Sequence, residues 1–179
     1  MTKRSDVMRN VRFRGRVEYH GEALALLERP EDCVLVTRGV DRELVMKCPD
    51  GCGDTLTVNL DSRAGPAWEV YVRKNAVSLY PSVWRETGCE SHFMLINNHI
   101  YGLGFTSIDE IDLTDAFVQS VLQRFEDRKK HSYYEIARDL REMPWDVYLA
   151  CERLVKAKKL EKASPQNKGI YLMRVRSKG

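Results

Sequence analysis

Long apolar runs are missing from this chain: none approaches the ~20 residues that a helix needs to cross a bilayer. The opening residues, MTKRSDVMRNVRFRG, hold no apolar stretch of the secretory-leader kind, so a cytoplasmic protein without a membrane partner is expected. No tract rich in Ser, Gly or Pro interrupts the sequence, which argues against extended disorder. Carboxylates paired for acid–base work are absent as well, since Asp54, Asp61 and Glu69 stand at no such spacing. His20 and His99 have no partner at a recognisable spacing and read as surface or turn residues. No catalytic residue is assigned on these grounds, and the reading favours a protein that is not an enzyme.

What is present suits one ordinary domain or two small ones: 179 residues, 43% of them apolar. The net charge of +3 is unevenly spread. Residues 1–110 carry 14 Lys and Arg against 16 Asp and Glu, whereas residues 111–179 carry 15 against 10. A basic last third is compatible with a polyanionic partner, and equally with a solvated surface.

The five cysteines are the most informative residues. Cys48 and Cys52 sit in the turn CPDGCG, and Cys89 and His92 in CESH. Two close pairs of sulfur and imidazole donors suit a tetrahedral Zn²⁺ site that leaves no position for water, which makes the metal structural. Gly51 and Gly53 let the backbone fold round a thiolate. Buried free thiols and a disulfide are the alternatives. Cys33 and Cys151 lie within apolar runs and read as core side chains.

The same residues carry a resemblance. CPDGCG, then Ser78-Leu79-Tyr80-Pro81-Ser82, then Cys89-Glu90-Ser91-His92-Phe93 is similar to the signature of a family of small bacterial and phage-encoded zinc-binding proteins. The likeness covers roughly residues 32–102, and Tyr80 stands where members often have His. It implies a zinc site at Cys48, Cys52, Cys89 and His92. Because relatives occur beside bacterial ubiquitin-like conjugation genes, it also points to a partner in such a pathway or in phage–host interaction.

Residues 9–20 alternate, with Val11, Phe13, Val17 and Tyr19 on one side and Arg12, Arg14 and Arg16 on the other, which predicts a strand with one basic face. A short helix ended by Pro30 follows. Further strands are expected at 33–37, 43–47, 55–60, 67–72, 77–79 and 93–96, with Asn97-Asn98 as a two-residue turn. The metal would staple two hairpins of a small sheet-rich domain at residues 1–108.

From residue 109 the period becomes helical. Phe117, Val118, Val121, Leu122 and Phe125 make one stripe, Ser132 and Glu135 a capping box, and Pro144 the start of a third helix. Strands at 160–162 and 170–175 then suggest a wing. The run V-Y-x2-C-x2-L-V-x4-L from Val147 resembles the third helix and first wing strand of winged helix-turn-helix proteins. The expected class is α+β: a zinc-stapled β-rich domain followed by a three-helix winged domain at 109–179. Arg153, Lys156, Lys158, Lys159, Lys162, Lys168 and Arg174, joined by Arg12, Arg14 and Arg16, would contact nucleic acid, double-stranded DNA foremost, as in transcription regulation. Trp145 and Asp146, poor at reading bases, mark the alternative, a surface that binds a protein.

Overall fold

A computed structural model describes residues 10–102, 111–164 and 169–173. The chain is α+β and divides into two compact units, Met1–Glu110 and Ile111–Gly179. The boundary expected between residues 108 and 109 lies outside the described residues. Among those residues no helix is long and apolar enough to cross a membrane.

In the first unit β1 (Arg12–Val17) leads through helix α1 (His20–Leu26) to β2 (Asp32–Arg38), and β1 and β2 run parallel. Then β3 (Val40–Lys47) and β4 (Thr55–Asn59) add antiparallel strands, giving the order β1-β2-β3-β4. Strand β2 is interior to this sheet, and its first five residues, DCVLV, are all buried. One of its faces packs under α1, where Val34 and Val36 meet Ala23 and Val45. The other joins the main core. Burial on both faces is why this strand reads as a continuous apolar run and not as an alternation.

Two smaller sheets complete the unit. The hairpin β5 (Glu69–Arg73) and β6 (Ala76–Tyr80) is one; β7 (Val83–Trp84), β8 (His92–Ile96) and β9 (His99–Tyr101) form the other, in the order β7-β8-β9. Leu35, Leu44, Met46, Val77, Leu79, Phe93, Leu95 and Ile100 bring residues of all three sheets into one core. The expected Asn97-Asn98 turn is present, with φ of 50° and 68°. It is also a staple. The Asn98 backbone N–H donates to the Val77 carbonyl at 2.9 Å, and Asn98 Oδ1 accepts from the Val77 N–H at 2.8 Å. The Asn97 N–H donates to the buried Ser78 hydroxyl oxygen at 2.8 Å. Strands β6 and β8 are thereby fixed against each other.

The second unit runs α2 (Asp115–Gln123), β10 (His131–Ser132), α3 (Tyr133–Leu140), α4 (Pro144–Lys156), β11 (Leu160–Lys162) and β12 (Ile170–Met173). Its sheet has the order β10-β12-β11. The helix starts follow the sequence signals: Thr114 caps α2, Ser132 and Glu135 form the capping box of α3, and Pro144 opens α4. Val121, Phe125, Ile136, Val147, Cys151, Leu154 and Tyr171 form its core.

Candidate active site and thiol centre

The turn between β3 and β4 is shaped for close approach. The Cys48 N–H bonds the Asp54 carbonyl at 2.8 Å, the Gly51 N–H bonds the Cys48 carbonyl at 3.1 Å, and Gly51 and Gly53 have φ of 74° and 88°. Those positive values are the reason for glycine there. The turn presents Cys48 and Cys52 to Cys89, in the loop between β7 and β8, and the three sulfurs lie within 4.8 Å of one another. Cys48 Sγ and Cys89 Sγ are 3.5 Å apart. All five cysteines are free, and Cys33 and Cys151 are buried. Burial pushes the Cys33 thiol up to about 12 and raises that of Cys151 as well.

Arg85 caps the three sulfurs. Its Nη1 lies 3.0 Å from Cys89 Sγ, 3.4 Å from Cys52 and 3.6 Å from Cys48, while Nη2 donates to Asp54 Oδ2 at 2.8 Å. Burial pushes the Cys89 thiol up, but hydrogen bonds from Ser91 and the neighbouring thiols outweigh it and bring it down to about 7. Cys52 goes the other way, to about 11, chiefly through burial. One thiol easily ionised beside a fixed guanidinium is a donor set ready for a soft or borderline cation. Three thiolates can hold a metal ion.

The fourth expected ligand is elsewhere. His92 opens β8 and its Nε2 lies 2.9 Å from Ser82 Oγ, outside the sulfur cluster. The reason is strand register. Trp84 pairs with His92 and Val83 with Phe93, so Val83 and Phe93 turn into the core while Ser82, Trp84 and His92 share the opposite face. The Ser82 backbone is pinned as well, because Trp68 Nε1 donates to the Ser82 carbonyl at 3.2 Å. A serine hydroxyl in contact with an imidazole nitrogen is the arrangement that activates a hydroxyl for attack on an acyl carbon. Sequence reasoning missed this pair, since His92 also completes a C-x2-H metal spacing.

Five of the expected nucleic-acid residues have carboxylate partners within their own unit. Arg12 pairs with Asp32, Arg14 with Glu28 at 3.8 Å and Arg16 with Asp41 at 3.8 Å. Arg153 bonds Asp115 at 2.6 Å and Lys162 bonds Glu152 at 2.9 Å. Lys158 and Lys159 are exposed, and Lys156 has an interaction of its own. Lys168 and Arg174 lie outside the described residues. Trp145 and Asp146, the alternative interface, are both half-buried, and the Trp145 ring meets Tyr148 edge-on at 6.2 Å.

Residues 20–103, just under half of the chain, match the family model described as "Bacterial ubiquitination-like system serine protease (BubE)". No curated protein and no solved structure matches the chain. The family match overturns the expectation of a non-catalytic regulator acting on nucleic acid. It points to a protease-related role and does not support DNA binding or transcription regulation. The matched segment runs from α1 to just past β9 and contains the three cysteines, Ser82 and His92.

Proposed function

We propose that the first unit is a serine peptidase of a bacterial ubiquitination-like system, with Ser82 as nucleophile and His92 as general base. The carrying observation is the 2.9 Å contact between Ser82 Oγ and His92 Nε2 inside the segment whose family description names a serine protease. His92 takes the hydroxyl proton as Ser82 Oγ bonds to the scissile carbonyl carbon. The same proton then goes to the leaving amine as the C–N bond breaks. In the second half His92 takes a proton from water as the water oxygen bonds to the acyl carbon, and returns it to Ser82 Oγ as the ester bond breaks and the acid leaves. The substrate and partner are polypeptides.

Zinc fits the thiol centre by donor type, with Cys48, Cys52 and Cys89 as the residues that would hold it. Bound there, it would cross-link the Cys48 turn to the Cys89 loop. Cys89 lies in the 85–91 loop whose ends carry Trp84 and His92, and the Arg85 N–H bonds the Ser91 carbonyl at 3.0 Å across that loop. Tying the loop to the Cys48 turn holds the two strand ends, and so the Ser–His distance. Free thiols suit the reducing cytoplasm. The second unit is read as a winged helix-turn-helix, supported by three helices followed by the β11–β12 hairpin.

A fluorophosphonate probe tests the peptidase reading without a known substrate. It should form one adduct, at Ser82, absent in Ser82→Ala and formed at least about a hundredfold more slowly in His92→Ala. An adduct elsewhere, or full reactivity in His92→Ala, would refute the assignment.

A further inference from the structure

We propose that Trp84 is the floor of a subsite for a bulky aliphatic side chain of an extended polypeptide substrate, two residues from the bond cut at Ser82. This rests on the peptidase reading above.

Among the described residues Trp84 is the most exposed large apolar side chain, at 64%. The other tryptophan near the nucleophile, Trp68, spends its indole N–H on the Ser82 carbonyl and packs against the core. Trp84 has no such structural duty, and its position follows from the register. Ser82 and Trp84 are two residues apart on one strand path, so their side chains leave the same face, and His92 stands opposite Trp84 on that face. The indole and imidazole centroids are 6.3 Å apart with the rings tilted by 43°.

The backbone beneath the ring is held on both sides. Val83 is paired with Phe93 and buried, and Arg85 is fixed by its N–H to Ser91, by Asp54 and by the three sulfurs. A large apolar ring is therefore displayed in water beside the nucleophile on a strand that is itself anchored. Burial of that ring is favourable only when a ligand covers it.

Strand geometry says which ligand. β7 is an edge strand of its sheet. A polypeptide laid along an edge strand is itself extended and repeats its side-chain direction every two residues, about 6.6–6.8 Å. That is the repeat separating Ser82 from Trp84. With its scissile carbonyl at Ser82, such a chain brings the side chain two residues away over the indole. A Leu-sized group covers the ring; glycine leaves it wet. Covering the ring also removes water from beside His92.

The test uses wild type and the Trp84→Ala and Trp84→Phe variants with internally quenched Gly/Ser peptides, each carrying a single Leu at a different position. Cleavage sites are read by mass spectrometry. Wild type should cut two residues from the Leu. Trp84→Ala should raise KM for that peptide about tenfold or more with kcat changed less than about threefold, and Trp84→Phe should restore most of the affinity. Cuts placed without regard to the Leu, an unchanged KM in Trp84→Ala, or a loss confined to kcat would each overturn the subsite. If the wild type labels at Ser82 but cuts no peptide, binding to Ser82→Ala decides, and an equal response of tryptophan fluorescence to the Leu and all-Gly/Ser peptides overturns it. An unlabelled Ser82 in the wild type removes the peptidase reading itself, which separates the two failures.

Discussion

Asp32 shows how this protein spends its arginines. Its carboxylate is fully buried at the start of β2, accepting from Arg12 Nε at 2.6 Å, from Arg12 Nη2 at 3.0 Å and from the Arg29 N–H at 2.8 Å. Burial pushes the carboxyl up, but the guanidinium and the backbone N–H outweigh it and hold it below the usual carboxylate range. The arginine face of β1, which reads in sequence as a surface for phosphates, is thus partly a structural face whose anions come from the same chain. Asp32→Asn should cost about 2 kcal/mol, the scale of a charge-assisted hydrogen bond, in urea unfolding at pH 7. The pH dependence has a definite sign. A carboxyl held low in the folded state stabilises above its unfolded value, near 3.9, and that contribution fades as the pH falls through the lower folded value. Wild-type stability should therefore drop below about pH 4 more steeply than that of Asp32→Asn, and parallel curves for the two proteins would show that the ion pair contributes nothing.

At the scale of elements, the site is a hairpin closed by a thiol clamp, and the two halves of it were unequally legible. The Cys48–Cys52 turn announces itself locally, through glycines beside closely spaced sulfurs. The Ser82–His92 pair does not, because it depends on which residues of β7 and β8 face each other across the loop, and a two-residue strand is too short to show an alternation. His92 follows Cys89 at a ligand-like spacing, so in sequence the imidazole groups with the sulfurs and not with the hydroxyl. Elemental analysis separates the two roles: Cys52→Ser and Cys89→Ser should lose bound zinc, whereas His92→Ala should keep it while losing reactivity at Ser82. Equal loss of metal in all three would return His92 to the ligand set. Gly102, just after β9, tests the strand frame. Its φ is 137°, and a Cβ there would stand 2.9 Å from the His92 carbonyl oxygen, a backbone atom that can retreat only by moving the strand. Gly102→Ala should slow fluorophosphonate labelling of Ser82 about tenfold or more, in line with the sensitivity of catalysis to displacements near 1 Å, while zinc content stays at the wild-type level.

For the whole molecule, the helical third was easier to read than the sheets. Ser132, Glu135 and Pro144 act on their own neighbours, so the starts of α3 and α4 follow from sequence alone. Strand pairing is a long-range matter, and the parallel pairing of β1 with β2, made through a seven-residue helix, has no local mark. Each unit has apolar clusters of its own: the buried residues of those in the first lie between Val11 and Ile100, and those of the second between Val118 and Tyr171. Cores that melt independently give two unfolding transitions. Leu154, 2% exposed in α4, belongs to the second, and Leu79, fully buried in β6 three residues before Ser82, to the first. Either Leu→Ala change should cost 2–5 kcal/mol by leaving a cavity. Leu154→Ala should lower one calorimetric transition by roughly 10 °C or more and leave Ser82 labelling at 25 °C intact. Leu79→Ala should lower the other transition and take the labelling with it, because β6 and the Asn98 staple set the position from which Ser82 meets His92. A single transition moved alike by both substitutions would mean that the two cores melt as one, and that the chemistry depends on the helical unit as much as on the sheets.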